Sequence, residues 1–150
     1  MLADPRVERL RTHPGMGRLT ALAMVHTLEP AARFSHRRQV AAYCGLDPQE
    51  RSSGETVRTG GITKQGNRLL RTLLVEAAWS AIRPGQDAAL RQFYFHRLAH
   101  QPAGVAIVAV ARKLALRRYR LLREGIEYDE FRRRGRDARC ARGRTETVPV

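Results

Sequence analysis

The chain has 150 residues, enough for one domain with a real core and too few to expect two. Its 28 Lys and Arg residues against 14 Asp and Glu give a formal charge of +14, an excess that is mostly arginine and implies a polyanionic partner, most simply nucleic acid. No apolar run approaches the roughly 20 residues of a spanning helix, the opening MLADPRVERL is no signal peptide, and Cys44 and Cys140 show no paired ligand spacing. These features argue against a membrane protein, a zinc domain and a disulfide scaffold, and the expectation is a soluble cytoplasmic protein with two free thiols.

Apolar spacing predicts an all-α chain, with no alternating strand pattern of useful length. Val7 and Leu10 share a face of a short first helix that stops at His13–Gly15. Leu19, Leu22, Ala23 and 25–28 predict a second, ended by Pro30. A third runs from Ser35, as N-cap, to Cys44 and stops at Gly45. Residues 45–66 show no periodicity and predict a long Gly/Ser-rich loop, unusual inside a compact domain unless functional or disordered.

Asn67 is the expected N-cap of the main core helix, whose stripe is Leu69, Leu70, Leu73, Leu74, Ala77, Ala78, Ala81 and Ile82. Trp79 and the pair Phe93 and Tyr94 are expected in the core. Pro84–Asp87 breaks the pattern, and Leu90, Phe93, Tyr94 and Leu98 mark a shorter helix. The run from Gly104 to Gly125 predicts a long helix whose start is deeply buried. Beyond Tyr128 the composition turns to arginine, with seven between Arg132 and Arg144. The expected organisation is therefore one helical domain over 1–128 and a basic, disordered tail over 129–150 that could order on nucleic acid.

Three stretches carry chemistry. HPGMGRLTALAMV fits a helix-hairpin-helix (about 6–28), in which Gly15 and Gly17 let the turn adopt positive φ and bring backbone N–H groups close to a phosphate, with Arg18 adding charge. An ordinary helix-helix turn is the plain alternative. In the loop, Arg51, Arg58, Lys64, Arg68 and Arg71 could hold phosphates, with Gly54, Gly60, Gly61 and Gly66 letting the backbone approach. Arg68 and Arg71 lie on one face at the electropositive start of a helix, where cations cost stability unless an anion compensates. A solvated basic loop fits the spacing equally well. Ser52 and Ser53 raise the question of a nucleophile, which needs a base, a metal or clustered positive charge to react; a structural serine is the plain reading. His96 and His100, at i and i+4, are too little for a metal site, and no metal ligands are assigned.

HPGMGRLTALAMV, RFSHRRQVAAYCGLDPQERSSG, GGITKQGNRLLRTLLVEAAW and GVAIVAVARKLALRRYRLL, in this order, resemble the C-terminal transposase domain of the IS-one-ten insertion-sequence family, with its IS-one-sixteen and IS-nine-oh-two relatives. The resemblance implies a helical domain that follows a RuvC-like domain with a DEDD set of metal-binding carboxylates, and a serine that attacks the DNA phosphodiester and holds the strand as a phosphoserine. On this sequence the nucleophile becomes Ser53, with Ser52 the weaker candidate, and Arg58, Lys64, Asn67, Arg68 and Arg71 surround the phosphate. The implied partners are DNA, a structured guide RNA and further copies of the enzyme. No cofactor is expected on this chain, magnesium being implied only through the DEDD domain. Because the sequence starts at the hairpin motif, it is expected to be a fragment, inactive by itself. The alternative is a non-catalytic helix-hairpin-helix module that binds DNA or RNA.

Overall fold

Asp4 starts the first helix, α1 (Pro5–Arg11): its carboxylate accepts the Arg6 N–H at 2.9 Å, and Pro5 occupies the first turn, where its missing N–H would have had no partner. The computed structural model describes residues 4–53, 56–62 and 64–145, with the backbone alone for 48–61 and 137–145. Helix α2 (Arg18–Leu28) follows a six-residue bend and ends before a cis Glu29–Pro30 peptide and a 3-10 turn at Ala31–Arg33. Helix α3 (Arg37–Tyr43) begins at His36, one residue later than expected, because the Gln39 side chain reaches back to the N–H groups of Ser35 and His36.

Next come α4 (Arg68–Ala81), α5 (Ala88–Leu98), α6 (Ala103–Glu124) and α7 (Tyr128–Thr145). Asn67 and Asp87 cap α4 and α5 by accepting the N–H groups of Leu70 and Leu90, which satisfies donors that a helix start leaves orphaned. Gly125, at φ 64°, ends α6 in the left-handed conformation. Helix α6 is the axis of the fold and packs against α1, α3, α4 and α5. Its Val110, Ala111, Leu114 and Ala115 are fully buried in the same core as Leu70, Leu74 and Ala78 of α4.

The helical class and the single core are as the periodicity predicts, with four differences. The stretch expected as a loop is an antiparallel hairpin, β1 (Pro48–Ser53) and β2 (Thr56–Ile62). Its strands are built from β-branched and polar residues such as Thr56, Val57 and Thr59, which favour strands without displaying an apolar alternation. The expected disordered tail contains α7. Tyr128 is buried at its start, Asp129 and Glu130 sit in its favourable first turn, and Glu130 pairs with Arg133 and Arg134. Residues 146–150 of that tail lie outside the described residues. Trp79 is 44% exposed rather than core, because the buried stripe of α4 runs through Leu74, Ala77, Ala78 and Ala81. The first turn of α6 is also exposed, Val105 at 49%, and burial begins at Ala106.

Candidate nucleic-acid interface

The hairpin is anchored where α3 ends and α4 begins. Gly45 (φ 67°) closes α3: its own N–H bonds the Ala42 carbonyl and the Leu46 N–H bonds the Ala41 carbonyl, both at 2.9 Å, the paired pattern that satisfies a helix's last carbonyls. The second leg returns alongside, and the Asn67 N–H donates to the Tyr43 carbonyl at 3.1 Å. Gly66 (φ 104°) lies so close that a Cβ there would collide with the Tyr43 carbonyl oxygen, and one on Gly45 would collide with the Gln65 carbonyl oxygen. The two legs therefore cross with no room for side chains. Gly66, expected to let a phosphate approach, is required here by the protein's own backbone.

Two groups of expected site residues separate along the hairpin. Arg51 pairs with Arg58, Ser52 with Val57 and Ser53 with Thr56, so Ser53 ends β1 at the tip. Gly54 lies outside the described residues. At about 3.3 Å per residue, Arg51 and Arg58 lie roughly 7 Å behind Ser53 and Pro48 about 17 Å behind it. Lys64, Arg68 and Arg71 are at the base instead. Arg71 donates from Nη1 to the Lys64 carbonyl at 3.0 Å, and Lys64 takes a positive φ of 54°. Lys64 and Arg68 are exposed. The expected cluster around one phosphate thus becomes a pair near the tip and a trio at the base. Asn67 belongs to the base, with its side-chain oxygen committed to capping α4.

Periodicity missed an aromatic cluster beside that base. Arg33 lies over the rings of Phe34 and Tyr43, 4.6 and 4.9 Å from their centroids, and with Gln39, Ala42 and Gly66 they line a shallow depression of about 610 Å³. Tyr43 is 42% exposed. The signal for it in the sequence was an aromatic residue directly before the helix-ending Cys-Gly.

The α1–α2 bend divides its expected contacts in another way. Gly15 (φ 79°) faces inward, where a Cβ would stand 2.7 Å from the Ala81 backbone nitrogen at the end of α4. Gly17 and Arg18 are exposed, and nothing lies within 4 Å of a Cβ built at Gly17. Gly15 is thus an internal packing residue, and Gly17 with Arg18 forms the outward part of the motif.

Beneath this bend lies a buried polar network that fixes its position. Asp87 accepts the Arg117 Nη1 at 3.0 Å and the Tyr128 hydroxyl at 2.8 Å, besides capping α5. Burial alone would raise its carboxyl, but the bonds from Leu90, Tyr128 and Arg117 hold it below the ordinary carboxylate range. His13 is buried against the Tyr128 ring and donates from Nδ1 to the Pro14 carbonyl at 2.9 Å. Burial, reinforced by Arg118, pushes its pKa down to about 3. It is therefore neutral at pH 7, and its 4.0 Å approach to Asp87 is not an ion pair. Arg118, fully buried, bonds the Pro14 carbonyl at 3.4 Å, and its Nε and Nη1 have no partners among the described residues. The network ties the α1–α2 bend to α5, α6 and α7.

Cys44 is a buried free thiol that burial pushes up to about 12, so it is inert as a nucleophile. Among the described residues no three His, Cys, Asp or Glu side chains gather as a metal-binding group, and no helix is long and apolar enough to cross a membrane.

Comparison with known proteins gives one consistent result. A family model described as "Transposase IS116/IS110/IS902 family" matches residues 7–94. A Pseudomonas aeruginosa protein named "Probable family 20 transposase" is 36% identical over 114 residues, covering 75% of this chain and 34% of that protein. The "Transposase for insertion sequence element IS1111A" of Coxiella burnetii is 33% identical over 115 residues, covering 75% and 32%. The chain thus spans about a third of the length of these curated relatives.

Proposed function

The chain belongs to the IS116/IS110/IS902 transposase family, and from that premise we propose that it acts in DNA transposition as the serine-bearing domain of a recombinase. The observation that carries this reading is the placement of Ser53 at the tip of a hairpin whose base is fixed to the helical body by Gly45 and Gly66. A nucleophile on a projecting ribbon can reach into a DNA groove while its support stays rigid.

In the proposed reaction the Ser53 hydroxyl attacks a backbone phosphorus. A phosphorus–oxygen bond to Ser53 forms, the bond to one sugar oxygen breaks, the serine proton leaves to a base, and the displaced sugar oxygen takes up a proton. Arg51 and Arg58, roughly 7 Å behind Ser53 along the strands, are placed to stabilise charge on the reacting phosphate. Lys64, Arg68 and Arg71 grip phosphates farther along the same DNA and position it. In this reading the chain's part is the nucleophile and the phosphate contacts. The proposal leaves magnesium to a carboxylate-bearing domain of the whole enzyme, which works with a guide RNA and as an oligomer.

The test is a denaturing gel of labelled DNA incubated with the whole transposase, its guide RNA and magnesium. Ser53→Ala should abolish a covalent DNA–protein adduct that Ser52→Ala retains. An undiminished adduct in Ser53→Ala would contradict the assignment. A second reading, a binding module without chemistry, draws support from the outward Gly17 and Arg18. It predicts DNA binding without any adduct in the unaltered enzyme.

A further inference from the structure

A groove on the helical body has a charge pattern that the serine chemistry does not use. It runs between the start of α3, the second half of α6 and α7, encloses about 630 Å³, and is lined by Arg37, Lys113, Arg117, Arg120 and Arg123 against the single carboxylate Glu124. Lys113, Arg117, Arg120 and Arg123 recur at helical spacing on one face of α6. Glu124 is already neutralised by Arg120 and Arg134, and Arg117 is committed to Asp87. Arg37, Lys113 and Arg123 have no carboxylate partner among the described residues. Like charges held together in this way repel, a cost that a bound anion would remove.

We infer that this groove is a second DNA contact, holding the phosphate backbone of a duplex while the hairpin engages the reacting strand. The inference rests on the DNA-binding reading above and adds a surface to it. From Lys113 to Arg123 the helix advances about 15 Å at 1.5 Å per residue, which faces about four phosphates of one strand at 3.4 Å each along the duplex axis. The Phe and Tyr rings that line the groove, and Phe93 beside it, are engaged. Lys113 lies 4.1 Å from the Phe93 centroid and Arg120 5.6 Å from that of Phe131, while Tyr119 is buried and bonds the carbonyls of Ala31 and Phe34. With its Phe and Tyr rings engaged and the His36 imidazole the one exposed ring among the described lining residues, the groove suits the backbone of paired DNA better than the stacked bases of a single strand. Partial burial, with Arg117 and Arg97 nearby, holds the Lys113 ammonium below the usual lysine range, and a bound phosphate would relieve that.

The groove continues toward the hairpin. Its Ser35–Arg37 edge follows directly on Arg33 and Phe34, which line the depression that reaches Gly66. One duplex could therefore follow α6 and pass the aromatic cluster to the serine ribbon.

The test is the salt dependence of duplex DNA binding by this chain. Each lost phosphate contact lowers the magnitude of the slope of log K against log salt by about 0.9. Arg37→Gln/Lys113→Gln/Arg123→Gln should therefore reduce it by about 2–3 relative to Arg9→Gln/Arg83→Gln/Arg91→Gln, which removes the same charge outside the groove. Arg37→Gln/Arg123→Gln, which leaves Lys113 in place on Phe93, should give about two-thirds of that reduction, and Arg37→Lys/Arg123→Lys should restore the slope. Equal slopes in groove and control variants would overturn the inference, as would a reduction seen with duplex RNA and not with duplex DNA. Failure of the unaltered chain to bind DNA at all would instead strike the reading on which the inference rests.

Discussion

The helical body and the serine hairpin are held by different forces. In the body, α6 is enclosed by four helices, and buried apolar side chains surround a polar network centred on Asp87. The hairpin is secured by its own strand pairing and, at its base, by backbone crossings at Gly45 and Gly66. A change in the body should therefore act on stability, and a change at the tip on chemistry alone.

The largest stability loss is expected for Asp87→Ala. It uncaps α5, breaks the ion pair with Arg117 and removes the nearby negative charge that offsets the buried Arg118, which should cost about 3–5 kcal/mol, read as a lower urea midpoint with an unchanged denaturant slope. Acid should act through the same network. His13 titrates near 6.5 when unfolded and near 3 when folded, so between those values the unfolded chain holds the extra proton and stability is lost as pH falls. That loss is on the order of 3–4 kcal/mol from pH 7 to pH 3, and a His13→Gln variant should lack it. Asp87, held below 3.8, acts in the same direction at lower pH: its contribution is complete above 3.8 and disappears as pH falls through its folded value. Leu74→Ala, in the fully buried stripe of α4, should cost about 3 kcal/mol in the same urea experiment.

Gly66→Ala tests the boundary between the regions. With φ at 104° and the Tyr43 carbonyl in the way, it should cost about 1–3 kcal/mol and reduce adduct yield by displacing the hairpin. A variant with unchanged melting and full adduct yield would show that the base does not orient the tip. Smallest of all should be Ser53→Ala, with stability within about 0.5 kcal/mol despite complete loss of the adduct.

Much of the body could be read in the sequence because long amphipathic helices announce themselves. Of the expected stripe, Leu70, Leu73, Leu74, Ala77, Ala78 and Ala81 are buried and Ile82 partly so, while Leu69 is 65% exposed; Asn67 caps α4, and Gly125 ends α6. The hairpin was not readable, since the sequence of its strands shows no apolar alternation. Helix α7 was hidden by its arginine content, because composition does not reveal that Tyr128 is anchored to Asp87. The faces of α2 were also misjudged: Leu19 and Leu22 are exposed at 64% and 41%, while Thr20, Ala21 and Met24 turn inward.

The candidate site was legible through family resemblance more than through spacing. Resemblance singled out Ser53, whereas the strand pairing separates the arginines near it from the cations at the base. Gly15 shows the limit of motif reading: packing against Ala81 by itself requires a glycine there. The basic groove was missed because Lys113, Arg117, Arg120 and Arg123 look like the solvated side of an amphipathic helix until α3 and α7 close around them.

The central claim, that chemistry resides at the hairpin tip and support in the body, is tested most directly by trapping the covalent DNA adduct of the whole enzyme and locating the modified residue by peptide mass spectrometry. The account predicts a nucleotide-bearing peptide with its modification on Ser53. A modification on any residue of the helical body, such as the exposed Tyr43 beside the hairpin base, would contradict it.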